Sequence, residues 1–310
     1  MDYQKFIAEQ IDEIRKTVGD GLAVNALSGG VDSAVVTALG YRALGRQLKS
    51  FFVDNALMRE GEPELVEAIF RDLDIPVVVV DARREFLQAL RGVEDPEEKR
   101  RAVSDTFYKD IFCRLVRESG ARYLFQGTIL TDIEETTAGI KRQHNILSQL
   151  GIDPEKEYGY QVLEPLKTLR KNDVRKLAAH LGLPPELTNR IPFPGPALAA
   201  RIIGEVTDDE LALVRRATAI IEEELKDSKA FQYLAVLLKD RATGIRHRQR
   251  EFGRMIVVRC IESIDARTAT ASQLPWEVLQ RVCRRITEIP EVNRCLYDLT
   301  PKPPATVEYI

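Results

Sequence analysis

The sequence predicts an α/β protein: a doubly wound, mostly parallel sheet in the first part of the chain and a smaller α+β domain after it. Three observations predict this. Short apolar runs alternate with helix-period stripes through the first half, the pattern of a parallel sheet covered on both faces. A glycine-bearing loop, Ser28-Gly29-Gly30-Val31-Asp32-Ser33, joins the first such run to the stripe that follows. The composition then shifts at Pro184-Pro185 and again over 191–196, where Pro192, Pro194 and Pro196 exclude a helix interior or a central strand. The expected domains are residues 1–189 and 190–310.

In chain order, residues 2–17 place Phe6, Ile11 and Ile14 on one helical stripe. Residues 21–27 read as a buried strand, 28–31 as a loop and 32–44 as a helix. Further strands are expected at 51–53, 76–80, 123–125 and 160–163, with a helix from Pro63 and one long helix over 97–118. Right-handed crossovers place ligands at the carboxyl ends of such strands. Residues 131–159 are polar, mixed in charge and long for a connection, and read as a functional lid. Past the boundary, Thr207-Asp208-Asp209-Glu210 is a capping box that opens a helix to Lys226. Strands at 233–238 and 255–260 follow, with 239–254 read as a charged loop between them. Pro275 opens a helix to Thr287, and 294–299 and 306–310 read as closing strands.

Composition excludes several classes. With 44% hydrophobic and 30% charged residues over 310, the chain is neither disordered nor fibrous. A formal net charge of −3 excludes a chain that is basic overall, though not a local basic patch. Apolar runs such as 77–80 are far too short to span a bilayer, and residues 1–6 lack a signal-peptide pattern, so a cytoplasmic protein without a membrane partner is expected. Cys113, Cys260, Cys283 and Cys295 form no C-x-x-C, which argues against a zinc knuckle or a dithiol pair; they read as small buried apolar residues.

The loop at 28–33 carries the chemistry. Glycines let the backbone curl so that successive N–H groups face one anion, and the helix N-terminus adds its positive dipole end. Ser28 and Ser33 offer hydroxyls, while Asp32 makes sense as a magnesium ligand rather than a phosphate contact. Neither the Gly-Lys-Ser/Thr of a Walker A motif nor G-x-G-x-x-G is present.

At these residues the sequence resembles the N-type ATP pyrophosphatases, whose signature is S-G-G-x-D-S and whose domain is adenine nucleotide α hydrolase-like. The resemblance implies that Ser28, Gly29, Gly30, Val31, Asp32 and Ser33 bind the leaving pyrophosphate of ATP. It places Val53, Asp54, Gln126, Gly127 and Thr128 beside the nucleotide, with Mg²⁺ held by Asp32 and Asp132. Glu164-Pro165-Leu166-Lys167, the segment from Arg190 to Arg201, Gly204-Glu205-Val206 and Lys302-Pro303-Pro304-Ala305-Thr306 narrow the likeness to the GMP synthetases over nearly the whole chain. That family attaches AMP to the C2 oxygen of XMP and then lets ammonia displace it, giving GMP. The implied catalytic residues are Asp32, Lys167, Lys141 and His144, the last two in a lid motif. The implied XMP contacts are Arg190, Pro194, Gly195, Arg201, Lys302, Thr306 and Glu308. No cysteine sits in a G-x-C-x-G elbow, so ammonia is expected from solution or from a separate glutamine amidotransferase subunit, as in the archaeal arrangement. The second domain implies a homodimer.

The chain departs from the family pattern at Gln143 of the lid, at Ala197 where glycine is usual, through 244–250, and at Tyr309-Ile310. Three alternatives stay open on the residues alone: a paralog acting on a different purine-like substrate, a tRNA-modifying relative, and a nucleotide-binding regulator with a degenerate site. Against nucleic acid, only Phe252 interleaves the basic stretch 239–254, which reads as a charged loop or as a contact for the XMP phosphate or a neighbouring subunit.

Overall fold

The computed structural model describes residues 1–137, 160–188, 190–264 and 266–309. The lid residues Lys141, Gln143, His144 and Asn145 lie outside them. The chain divides into two compact units. The first comprises Met1–Asp54, Glu62–Ala82 and Phe107–Arg190; the second comprises Asn55–Gly61, Arg83–Thr106 and Ile191–Ile310. A single cut at residue 189 therefore does not describe the division, because two segments of the first half belong to the second unit.

The first unit is built on a parallel sheet of β1 (Ala23–Leu27), β2 (Leu48–Asp54), β3 (Val77–Asp81), β4 (Tyr123–Phe125) and β5 (Gln161–Leu163), in the order β3-β2-β1-β4-β5. Helix α1 (Tyr3–Val18) is capped by Asp2, whose side chain accepts from the Lys5 N–H. Helix α2 (Val31–Leu44) buries Val35, Val36, Ala38 and Leu39 on different sides and has no clean polar face, as expected of a helix enclosed by other elements. Helix α3 (Glu62–Asp72) returns the chain to β3. The predicted helix over 97–118 is interrupted. Beyond α4 (Arg83–Leu90), α5 (Pro96–Asp105), which like α4 belongs to the second unit, passes through a π-helical stretch, Thr106–Phe112, into α6 (Cys113–Ser119) of the first. A π-bulge shifts helical phase, which lets Phe112 and Val116 pack with Val24, Leu124 and Tyr160. Helices α7 (Leu130–Thr137), α8 (Lys171–His180) and the short α9 (Pro185–Thr188) complete this part of the chain.

The second unit has α10 (Asp208–Leu225), where the Thr207 hydroxyl accepts from the Glu210 N–H as the capping box requires. Strands β6 (Gln232–Arg246) and β7 (Gln249–Glu262) form a long antiparallel hairpin, joined by β8 (Thr270–Ala271) and by β9 (Val292–Tyr297), which runs parallel to β7. Helix α11 (Trp276–Glu288) starts after Pro275. Two expectations fail in this unit. Residues 239–254 are not a loop but the outer half of the hairpin, turning at His247 and Arg248, both with positive φ. Residues 306–309 form no strand: the wholly buried Arg259 guanidinium takes the carbonyls of Thr300, Thr306 and Val307 and pairs with Asp298, so the tail binds to a side chain instead of a sheet edge. Cys113 and Cys260 are buried as expected; Cys283 is exposed and Cys295 half-buried.

Candidate active site

Strand order reverses at β1, so the loops after β1 and β4 flank the crevice where open parallel sheets bind ligands. The loop after β1 is the 28–33 segment. Gly29 has φ +75°, a conformation that side chains disfavour, and Gly30 caps α2. The loop is internally braced. The Ser28 N–H donates to Ser33 Oγ at 3.2 Å, the two hydroxyls lie 3.0 Å apart, and Ser33 Oγ donates to the Gly30 carbonyl at 3.0 Å. From the other side, Gly127 presses against it: a Cβ there would stand 3.2 Å from the Asp32 backbone carbon and the Ser33 nitrogen. Thr128 donates to Glu164 Oε1 at 2.6 Å, linking the end of β4 to the turn after β5.

Asp32 is the candidate chemical centre, where the ion pair and a buried oxygen meet. Its Oδ2 accepts from Lys171 Nζ at 2.6 Å, across 139 residues of sequence. Its Oδ1 is buried without a hydrogen-bond partner. Burial raises its pKa above the ordinary carboxylate range, Lys171 pulls it back, Asp132 raises it and Arg175 lowers it. Asp132 itself accepts from the Ile129 N–H at 3.0 Å, opening α7. Among the described residues no three His, Cys, Asp or Glu side chains cluster as a metal site. An orphaned carboxylate oxygen beside a second carboxylate instead fits Mg²⁺, which takes one or two protein carboxylates and completes its shell with substrate phosphates and water.

A second cluster lies in the other unit. Arg201 is buried and grips Glu308 with two hydrogen bonds of 3.2 and 3.0 Å. Gln232 donates to the same carboxylate, and the Thr306 hydroxyl to the Glu308 carbonyl. Phe193 lies 4.6 Å from the Arg201 guanidinium and 4.0 Å from that of Arg59. The Arg201 Nη1 is buried with no partner. Lys302 Nζ donates to the Ala266 carbonyl at 2.7 Å. Pro194 and Gly195 form a turn closed by the Ala197 N–H on the Pro194 carbonyl.

A model of the GMP synthase C terminal domain matches residues 219–309. Across its length the chain is 48% identical to the B subunit of the glutamine-hydrolyzing GMP synthase of Archaeoglobus fulgidus, with 100% of both chains covered. The chain belongs to this family of GMP synthase B subunits. It is equally 48% identical to the B subunit of Pyrococcus abyssi, covering 100% of each, and 47% identical to that of Methanopyrus kandleri, covering 99% of each. Among solved structures it is similar to an NH3-dependent NAD synthetase from Campylobacter jejuni, at 16% identity and a TM-score of 0.45 over 74% of this chain and 86% of that one.

In this member of the GMP synthase family, the structure brings Ser28–Ser33, Gly127 and Asp132 to one crevice. Val53 is buried in β2, and Asp54 ends that strand. Gln126 extends β4 through its N–H on the Leu163 carbonyl at 2.9 Å. Lys167 is exposed in the turn after β5, and it is Lys171 that reaches Asp32. Lys171 and Arg175 were missed by sequence reasoning, although one signal exists: a lysine at the first position of a helix opposes the helix dipole. Arg190 meets Glu62 and the Gly29 carbonyl, and Glu62 gave no sequence signal.

Proposed function

We infer that this chain is the synthetase subunit of a two-subunit GMP synthase. It activates XMP with ATP and aminates the product to GMP, with ammonia delivered by a separate glutamine amidotransferase subunit. The observation that carries this reading is the crevice between β1 and β4, where a braced anion loop faces Asp32 and Lys171, in a chain alignable end to end with GMP synthase B subunits. The XMP C2 oxygen attacks the α-phosphorus of ATP, and the bond to the pyrophosphate oxygen breaks. Ammonia then adds at C2, and AMP leaves with the former C2 oxygen. AMP is the better leaving group, which is why ATP is spent. The protein's part is positioning and charge neutralisation.

The loop N–H groups and Ser28 and Ser33 hold the β- and γ-phosphates; Lys171 and Lys167 supply positive charge; Asp32 and Asp132 would hold Mg²⁺, which neutralises the leaving pyrophosphate. Val53, Asp54, Gln126 and Thr128 border the nucleoside. Lys141 and His144, outside the described residues, are assigned to catalysis by the family likeness alone. In the second unit, Arg201, Lys302, Thr306 and Glu308, with Pro194 and Gly195, form the XMP end, and the orphaned Arg201 Nη1 supports an anionic or carbonyl ligand there. No helix among the described residues is long and apolar enough to cross a membrane, and a cytoplasmic location is part of this reading.

A second copy of the chain is proposed to cover α11 and β9. Trp276 (66% exposed), Leu296 (42%) and Leu299 (72%) lie exposed there. Trp276, Leu279 and Leu296 line an open cavity of about 800 Å³.

The test is pyrophosphate release from ATP and GMP formation from XMP with an ammonium salt alone. With glutamine as nitrogen donor, GMP should form only after the glutaminase subunit is added, and EDTA should stop both steps. Release driven by tRNA or another purine in place of XMP would point to the paralog readings, and no release at all to a regulator.

A further inference from the structure

A largely buried ion pair, Glu62 buried and Arg190 half-buried, lies directly behind the anion loop. Glu62, in the first turn of α3, is 2% exposed and Arg190 is 16% exposed, with Arg190 Nη1 2.8 Å from Glu62 Oε1. The same Nη1 donates to the Gly29 carbonyl at 3.1 Å. The contact is close: a Cβ on Gly29 would stand 2.4 Å from Glu62 Oε1 and 3.4 Å from Arg190 Nη1. Gly29 is thus buried against the pair, while Gly30 is exposed.

In a planar trans peptide the carbonyl of one residue and the N–H of the next point in opposite directions across the peptide plane. Pinning the Gly29 carbonyl inward on Arg190 therefore turns the Gly30 N–H outward, to the side where an anion approaches the loop. Without the guanidinium, two glycines in sequence would let this plane rotate, since neither has a Cβ to restrict it. Glu62 has a matching part. It orients the guanidinium, and its own charge, buried behind a site for a polyanion, is neutralised by Arg190.

We propose that Glu62 and Arg190 are a positioning pair that locks the Gly29–Gly30 peptide in its anion-binding orientation, so that Arg190 serves the pyrophosphate of ATP rather than XMP. This rests on the function proposed above and refines one residue of it.

The test is calorimetric titration of the full chain with magnesium pyrophosphate, alongside separate KM values for ATP and XMP and a thermal melt of each variant. Arg190→Gln should weaken pyrophosphate binding and raise the ATP KM about 10-fold, as loss of a charge-assisted hydrogen-bond network does, while the XMP KM stays within a factor of about two. Arg190→Lys keeps the charge and should recover part of the loss. Glu62→Gln in the Arg190→Gln background should also recover part, by removing the unpaired buried charge. The inference is overturned if Arg190→Gln binds pyrophosphate as the wild type does, or if the XMP KM is what moves. Should Arg190→Gln not fold, unchanged pyrophosphate binding in Arg190→Lys overturns it in the same way. A wild-type chain that binds no pyrophosphate overturns the proposed function as well, which separates the two failures.

Discussion

At Asp32 the burial of one carboxylate oxygen and the ion pair on the other set opposing demands on a single side chain. Lys171 answers the second, so Lys171→Met should cut XMP-dependent pyrophosphate release about 100-fold, and more than Lys167→Met does. Steady-state assays of the two variants, with near-ultraviolet circular dichroism to check folding, decide the point. Ala197 is a different kind of residue. It is buried and held at φ +53°, where a Cβ is strained. Ala197→Gly should therefore stabilise the protein by about 0.5–1 kcal/mol, the relief of left-handed strain less the added freedom of the unfolded chain, seen as a higher melting temperature. The 28–33 loop was legible because strand, glycines, hydroxyls and helix are contiguous in sequence. Lys171 and Arg190 were not legible as loop partners, because 139 and 161 residues separate them from Asp32 and Gly29 and only the sheet order brings them back. Cys283 should be the first thiol labelled by a maleimide, since Cys113 and Cys260 are buried and burial pushes the Cys295 thiol up to about 12.

Among the elements, the β6–β7 hairpin shows how a charge run can hide a strand. Near-continuous apolar runs were readable at 233–238 and 255–260, where the strands are buried, and gave out where both strands become charged and exposed. The outer half is held by contacts that no periodicity reveals. Gly244 and Gly253 lie against Asn293, where a Cβ on either would stand within 3 Å of that side chain. Arg246 donates to the carbonyls of Thr287, Ile289 and Val292 and pairs with Glu251. A cation on the last carbonyls of α11 is where the helix dipole favours one. Arg246 is thus a structural cap, and Arg246→Ala should lower stability by about 1–2 kcal/mol with the XMP KM unchanged. A shifted XMP KM at full stability would contradict that role. The capping box before α10 and the proline before α11 were readable because both signals are local.

On the scale of the whole molecule, alkaline pH probes two opposing sets of buried groups. Lys99 is wholly buried, donates to the Ile202 carbonyl at 2.6 Å, and is pushed by burial down to about 8. Between that value and its unfolded value the unfolded chain carries the extra proton, so this residue makes the fold more stable as pH rises from about 8 toward 10.5. Tyr108, Tyr233 and Tyr309 are pushed by burial up to about 12, so above pH 10 the unfolded chain loses protons that the fold retains, and stability falls. Denaturant melts across this range should show a maximum near pH 10, and a monotonic fall from pH 8 would exclude the Lys99 contribution. The proposed dimer has its own probe: if it forms through α11 and β9, Trp276→Glu should convert it to a monomer in sedimentation, because a carboxylate does not tolerate burial in an apolar interface.

The interleaving of the second unit reaches beyond enzymology to how the gene can be cut. Arg59 pairs with Glu222, Arg215 takes the Met58 carbonyl, Glu205 accepts from the Gly92 N–H and Lys99 from its side reaches Ile202. A fragment starting at 191 would leave all four of these acceptors or donors facing water. Expression of either half alone should give insoluble or protease-sensitive material, and a nick after Arg190 should release no freestanding piece. The two units are therefore inherited, lost and engineered together.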